Sequence, residues 1–491
     1  MAKEKKQKKD SLEVFRDAPV GQAVLKNAIP AMLAMLMVLI YNLADTFFIG
    51  QTDNALMVAA VSLATPVFLI FMALGTIFGI GGTSVISRAM GEGKEEYAKK
   101  VCSFCMWSCV VVGIVMSALM FIFMDPILSL IGASEDTWDY AKDYLQIVSL
   151  AGPFVLIANC YSNIIRSEGK AGIAMFGQLA GNLLNVILDP IFILVCGWNV
   201  AGAAIATAVS NVFSAVFYIT YFKWGKSMLS INPKDFSVKN GIVKGVLEIG
   251  IPAALGNLLM SLSNILINGQ MANYGDMAVA GIGVAMKVVM ITGMLCIGFG
   301  QGVQPLLGYC IGAKNWKRYK ESLKISLIFS LALGTIMTVL CYVFRSQIVS
   351  AFLSDAEAYD FAYQFAGILL CTSFLFGIYY VFTNALQAMG AATSALIMNI
   401  SRQGIIYIPA LYILQAIFGI SGLVWAQPVA DVLSFILVVI LYKVEFKKLL
   451  KRGENEELAD GGAGAEQNEI TADGENVEQS ETVFVDTASG E

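Results

Sequence analysis

The chain has 491 residues, 57% hydrophobic and 14% charged, with a mean hydropathy of +0.69, which excludes a water-soluble enzyme. It contains no histidine, so imidazole-based zinc sites, catalytic triads and proton relays are excluded as well. The net charge of -5 conceals an asymmetry, because residues 453–491 hold 12 acids and no base, leaving 32 bases against 25 acids in the rest.

A bilayer core about 30 Å thick takes roughly 20 apolar helical residues per crossing. Charge-free stretches of that size run over 101–124, 144–165, 249–275, 288–313 and 325–344. Gly197-Trp198-Asn199 divides one long apolar stretch into two crossings, and Gly419 to Gly422 divides another. The pattern predicts an all-α integral membrane protein of twelve transmembrane helices. They are placed near 24–48, 56–87, 101–124, 141–164, 171–195, 201–222, 245–270, 277–307, 323–344, 361–385, 394–417 and 421–442. The first apolar run is too long for a secretory signal and ends in Asp45-Thr46-Phe47-Phe48 without a small-residue cleavage site, so it is expected to stay in the protein. Loop charge supports an even number of spans. Alternate connections and both ends carry 27 of the 32 bases, whereas the opposite side has Lys142 and Arg345. By the positive-inside rule, both termini are expected on the cytoplasmic side of the cell membrane. Nine cysteines lie singly in apolar runs, as packing residues rather than a disulfide framework. The acidic stretch after Gly453 has too little apolar material for a core and is expected to be disordered.

The chain also repeats itself at an offset of about 221 residues. Ile29-Pro30-Ala31 matches Ile251-Pro252-Ala253, Phe78-Gly79 matches Phe299-Gly300, and Gly81, Gly91 and Gly169 match Gly302, Gly312 and Gly390. Six crossings per repeat give two lobes of the same topology, related by pseudo-two-fold symmetry along the membrane normal, with a cavity between them. The expected segments are a basic N-terminal stretch (1–22), an N-lobe (23–222), a linker (223–244), a C-lobe (245–442) and a basic, then acidic tail (443–491). The Gly298, Gly300, Gly302 cluster resembles a nucleotide loop superficially. It lies inside an apolar span with its own copy at Gly79, Gly81 and Gly82, which points to close helix approach.

Ionisable groups inside spans are costly and by default mark ion or substrate pathways. Asp45, Asp189 and Asp431 qualify. Asn182, Asn185 and Asp189 fall at i, i+3 and i+7, forming one polar stripe on an apolar helix. Pro190 lacks an amide hydrogen and frees the carbonyl of Val186. Thr207 and Asn211, one turn apart, could complete a cage with Asp45. A carboxyl in low dielectric is hard to ionise and can load and release a proton; among amide and hydroxyl oxygens it can instead hold sodium. The residue types leave both open. The plain structural alternative, pairing with buried Asn, Thr or Tyr, applies more strongly to Asp431 than to the other two. At the repeat positions stand Ile267 and the region of Ile408-Pro409, so the architecture does not demand the acids. Tyr41, Met37, Phe68, Met72, Asn159, Gln178, Met286, Met290 and Asn264 are candidate lining residues, where thioethers and rings suit varied shapes.

Tyr41-Asn-Leu-Ala-Asp45-Thr-Phe-Phe-Ile-Gly50, the Gly91-Glu-Gly93 loop, Asn185-Val-Ile-Leu-Asp189-Pro-Ile-Phe192 and Gly202-Ala-Ala-Ile-Ala-Thr207 resemble the multidrug and toxic compound extrusion (MATE) family, most closely its bacterial DinF and MepA-like branches. The resemblance covers about residues 20–445. It implies a secondary active exporter without a cofactor that antiports cationic or amphipathic organic compounds against protons or sodium. The family's coupling residues carry onto Asp45, Asn185, Asp189 and Thr207, which would also ligate the metal if sodium is the ion. Ile267 stands where some relatives have a second-lobe acid. The expected partners are small-molecule drugs and the lipid bilayer, with no nucleic acid, and the expected functional unit is a monomer. One rival is a flippase for lipid-linked precursors or polysaccharides, which calls for a cationic central cavity; Lys287 and Arg402 are the bases deep in the spans. An intramembrane aspartyl protease lacks the Gly-containing aspartate motifs it needs, and a major facilitator protein lacks its Asp-Arg pattern between Arg88 and Lys100.

Overall fold

The structure, a computed structural model, describes residues 12–52, 55–225, 227–353 and 355–481; side chains at 46, 50, 55 and 452–481 fall outside the description. The basic cluster at the start of the chain also lies outside it. Contacts divide the chain into two compact units, Met1–Ile440 and Leu441–Glu491. The first holds the whole helix bundle. In the second, the backbone is helical as far as Glu481; the disorder expected of the acidic tail concerns residues whose side chains lie outside the description.

Among the described residues, ten helices are long and apolar enough to cross a bilayer. An eleventh crossing is the pair Ala356–Leu370 and Ser373–Met389, which meet at a 42° bend. The twelfth appears because the last apolar helix is broken at Gly419, whose φ of 61° is left-handed and favours glycine. The crossings are α1 (Val20–Gly50), α2 (Ala55–Gly91), α3 (Glu95–Ile122), α4 (Glu135–Ile164), α5 (Ala171–Pro190) and α6 (Asn199–Trp224) in the first lobe. The second lobe has α7 (Ile242–Met271), α8 (Asp276–Gly312), α9 (Trp316–Val343), the bent α10 (356–389), α11 (392–418) and α12 (from 420). Several helices outrun the predicted spans because a helix need not stop at the bilayer surface. The 37 residues of α8 extend about 55 Å at 1.5 Å per residue.

Local chemistry sets several helix starts. The amide N–H of Ser134 donates to Thr137 Oγ1 at 2.9 Å, closing a reciprocal cap at the head of α4. Asp355 accepts from the amides of Glu357 and Ala358 at 3.0 Å each, capping α10. Each lobe has its own apolar core, one built from residues such as Phe71, Leu145, Leu156 and Ile164, the other from Ile282, Val288, Leu370 and Leu411. Large apolar side chains including Ile114, Ile122, Leu150, Ile328 and Ile413 remain exposed on the outside, as lipid requires. Seven cysteines are buried, Cys196 and Cys371 are exposed, and all nine are free thiols.

The lobes join through α1 and α2 of the first against α7 and α8 of the second. Close approach there depends on missing side chains. A Cβ on Gly302 would stand 2.6 Å from Ala28 Cα and from the Asn27 carbonyl oxygen, and one on Gly81 would collide with the Val246 carbonyl. Residues 27–32, 77–91, 246–250 and 298–313 all lie in the helix halves that run to the basic loops. The lobes therefore meet on the basic-loop side. Polar bonds add to this seam: Ser84 Oγ donates to the Gln387 carbonyl and Arg88 Nη1 to the Met389 carbonyl at 3.4 Å.

Candidate functional site

The polar stripe of α5 is real and faces the first lobe. Asn185 and Asp189 are almost completely buried, with Thr207 of α6 scarcely more exposed. Asn185 Nδ2 donates to Asp189 Oδ1 at 3.3 Å and lies 3.5 Å from Thr207 Oγ1. Helix α1 packs on α5 and on α6, which brings Asp45 to the same place: Asp45 is half-buried and close enough for its charge to bear on the Asp189 carboxyl. Sequence spacing alone could not have shown that α1 supplies the partner.

Protein donors leave part of this pair unsatisfied. Among the described residues, Asp45 Oδ1 and Asp189 Oδ2 are buried without a hydrogen-bond partner, and neither aspartate has a basic side chain in ion-pair range. The same stripe carries further buried atoms with no partner, at Gln178 Oε1, Asn182 Nδ2 and Asn185 Oδ1. A buried carboxylate with a bare oxygen is costly. A proton or a small hard cation removes that cost, and amide, hydroxyl and carboxyl oxygens are the donors a sodium ion takes. Asp189 lies in the last turn of α5, next to its final residue Pro190, after which Ile191–Val195 forms a widened π-type turn. Such turns recur at functional sites because they loosen the backbone hydrogen-bond ladder.

Two sequence expectations shift in detail. Asn211 turns its amide nitrogen back to the Thr207 carbonyl at 2.8 Å and so braces its own helix. Tyr144 of α4, not singled out from sequence, is buried within electrostatic reach of both aspartates, and the half-buried Tyr41 has the same reach. Tyr144 lies near the start of a span and has no spacing signal that would have marked it. Of the candidate lining residues, Tyr41, Met37, Phe68, Met72, Asn159, Gln178, Asn264, Met286 and Met290 are all half-buried. Asn159 has a structural task, donating to the Met72 carbonyl at 2.9 Å and tying α4 to α2.

The second lobe contrasts with the first. Asp431 is buried and fully engaged: its Oδ1 accepts from Arg402 Nε and Gln427 Nε2, both at 2.9 Å, and its Oδ2 from Thr372 Oγ1 at 3.2 Å. Arg402 also donates to Tyr380 Oη at 2.9 Å and lies over the rings of Phe376 and Tyr379. Here a fixed guanidinium supplies the positive charge, so the aspartate belongs to helix packing. The other deep base, Lys287, places its ammonium over the Phe352 ring. With Arg402 committed to Asp431, the second lobe offers little of the cationic lining a phosphate-carrying lipid would need.

Comparison with known proteins shows the family and the fold. The sequence model of the MatE family matches residues 30–191 and again 252–413, one match per lobe. The chain is 33% identical over 440 residues to multidrug export protein MepA of Staphylococcus haemolyticus (strain JCSC1435), covering 89% of this chain and 96% of that protein. It is 33% identical over 439 residues to multidrug export protein MepA of Staphylococcus aureus (strain NCTC 8325 / PS 47), covering 88% and 96%. Among solved structures, an outward-facing conformation of a multidrug resistance MATE family transporter of the MOP superfamily superposes with a TM-score of 0.85 at 23% identity, over 90% of this chain and 99% of that one.

Proposed function

Because the chain belongs to the MATE family of multidrug export transporters, we propose that it works as an antiporter, expelling cationic or amphipathic organic compounds in exchange for protons or sodium. The observation that carries this reading is the pair of first-lobe aspartates, each with a buried, bare carboxylate oxygen and, among the described residues, no base to neutralise it. Loading a positive ion at Asp189 and Asp45 removes the cost of that exposure to low dielectric. It thereby favours a packing of α1, α5 and α6 different from the one the unloaded pair favours. An ion that binds the two packings unequally shifts the equilibrium between them, which is all that alternating access requires. Asn185 donates to the Asp189 carboxylate and is itself backed by the Thr207 hydroxyl, so the two act as neutral partners that hold Asp189 in place.

Substrate enters this scheme in the cleft between the lobes. The half-buried rings and thioethers of Tyr41, Met37, Phe68, Met72, Met286 and Met290 offer an adaptable apolar surface, with Gln178, Asn159 and Asn264 as polar contacts. The basic-loop side, where α1, α2, α7 and α8 close on each other, is read as cytoplasmic, with both termini there and the cleft open to the outside. The protein is read as a monomer in the cell membrane, because each lobe completes its own core.

Reconstitution tests the scheme. Wild-type protein in proteoliposomes should drive efflux of a cationic dye under an imposed proton or sodium gradient, each applied alone. Asp189→Asn and Asp45→Asn should insert normally and lose most of that coupling. Full gradient-driven transport by both variants would show that the coupling ion binds elsewhere.

A further inference from the structure

Arg166 stands in a single turn after α4, at Ile165–Glu168, on the basic-loop side. Sequence counting treats it as a loop charge, but it is 1% exposed. Its Nη1 donates to Asn163 Oδ1 at 3.2 Å and to Gln301 Oε1 of α8 at 3.0 Å, so the side chain bridges the two lobes. Both partners are neutral. Nε and Nη2 are buried and, among the described residues, have no partner at all.

These two nitrogens form the side-on edge of the guanidinium, where two parallel N–H groups accept a carboxylate or a small anion in a fork. Among the described residues, no carboxylate takes that place. Glu168, two residues along, is occupied by the Tyr221 hydroxyl at 2.8 Å, the Ser227 hydroxyl and the amides of Met228 and Leu229 at 2.7 and 3.0 Å. The Tyr218 hydroxyl, within electrostatic reach of Arg166, donates to the Ala174 carbonyl at 2.8 Å. Gln304 lies one turn beyond Gln301 on the same face of α8, and its Nε2 is likewise buried without a partner. An arginine cannot shed its proton to escape burial, so two buried donors and a permanent charge call for an acceptor with a negative charge.

We propose that Arg166 forms a binding site for a small monovalent anion, a halide or a short carboxylate, between the lobes. The anion completes the guanidinium's shell and neutralises it only while Gln301 of the second lobe is in contact. It therefore favours the arrangement in which the lobes are joined on the basic-loop side. When the lobes part there, the Arg166–Gln301 bond is lost, the fork meets water and the anion is released. The site is separate from the aspartate pair and involves none of its residues.

The test uses the purified full-length chain in lipid nanodiscs, with sodium concentration, ionic strength and pH held constant while the anion is changed among chloride, bromide, formate and gluconate. The unfolding temperature of the wild type should rise saturably in the small anions over gluconate, and Arg166→Gln should lose that rise. A rise with the halides alone identifies a halide as the ligand, and one with formate alone a carboxylate. Equal unfolding temperatures in all four salts, or a rise that persists in Arg166→Gln, would overturn the proposal. If Arg166→Gln does not fold, bromide anomalous scattering from wild-type crystals decides: a peak within hydrogen-bond reach of Nε and Nη2 is expected, and a map without one refutes the site.

Discussion

Removing the charge of Asp431 while keeping its shape, as Asp431→Asn, should destabilise the second lobe strongly. The carboxylate accepts three hydrogen bonds and is the ion-pair partner of Arg402, with side chains 2% and 9% exposed. Taking away one member leaves a guanidinium buried and uncompensated, a loss of about 3–5 kcal/mol in comparable pairs. The aromatic rings of Phe376, Tyr379 and Tyr380 around Arg402 recover part of this, on the order of 1–2 kcal/mol, so about 1–4 kcal/mol is expected. The double variant Arg402→Met, Asp431→Leu removes both charges. It should recover most of the loss, since apolar replacements of buried pairs are often neutral or stabilising. Chemical unfolding in detergent of the wild type, Arg402→Met, Asp431→Leu and the double variant, arranged as a double-mutant cycle, measures the coupling. Wild-type stability in Asp431→Asn, or a double variant as unstable as the sum of its singles, would refute the view that this pair exists to hold α10, α11 and α12 together.

The same substitution in the first lobe should behave in the opposite way. Asp189→Asn has no buried cation to abandon and should match or exceed wild-type thermal stability while losing ion-coupled transport; a large fall in melting temperature would show that Asp189 serves packing. Glu168→Ala strips four donors at once from a buried carboxylate and should cost about 3 kcal/mol or more, read as loss of folded protein after mild heating; unchanged survival would contradict the assigned contacts. Gly302→Leu forces a side chain against Asn27 and Ala28 and should oppose closure of the seam by about 1–3 kcal/mol. Spin labels across the basic-loop side would then report wider separations, and unchanged distances would count against the glycine contact. Cys196, exposed at the α5–α6 turn opposite the basic loops, should react with an impermeant maleimide on intact cells. Protection there, with labelling only after lysis, would reverse the proposed orientation.

The spans were legible because hydrocarbon tolerates so few charges: every charge-free stretch of bilayer length became a helix. Their ends were less so. Helices α2 and α8 run on to Gly91 and Gly312, held in the seam by contacts between lobes that hydropathy does not register. The repeat marked the glycines at 81 and 302 as a matching pair, and the structure shows both at the seam. The stripe of Asn185 and Asp189 was visible in helical spacing, and Asp45 as a costly acid. Tyr144 and the Arg402–Asp431 bond were not visible, because partners 29 residues apart on different helices leave no local pattern. The burial of Arg166 was not legible for a related reason. Charge counting places a base beside a membrane but says nothing of whether a neighbouring lobe covers it.

Coupling between drug binding in the cleft and ion binding at the aspartate pair is the central claim, and equilibrium binding measures it without a membrane. A fluorescent cationic substrate should bind the purified wild type more weakly as pH falls or as sodium rises, whichever is the coupling ion. The dependence must be reciprocal, because each ligand weakens the other by the same factor. In Asp189→Asn the affinity should no longer respond to that ion. A response as steep in the variant as in the wild type would contradict the account.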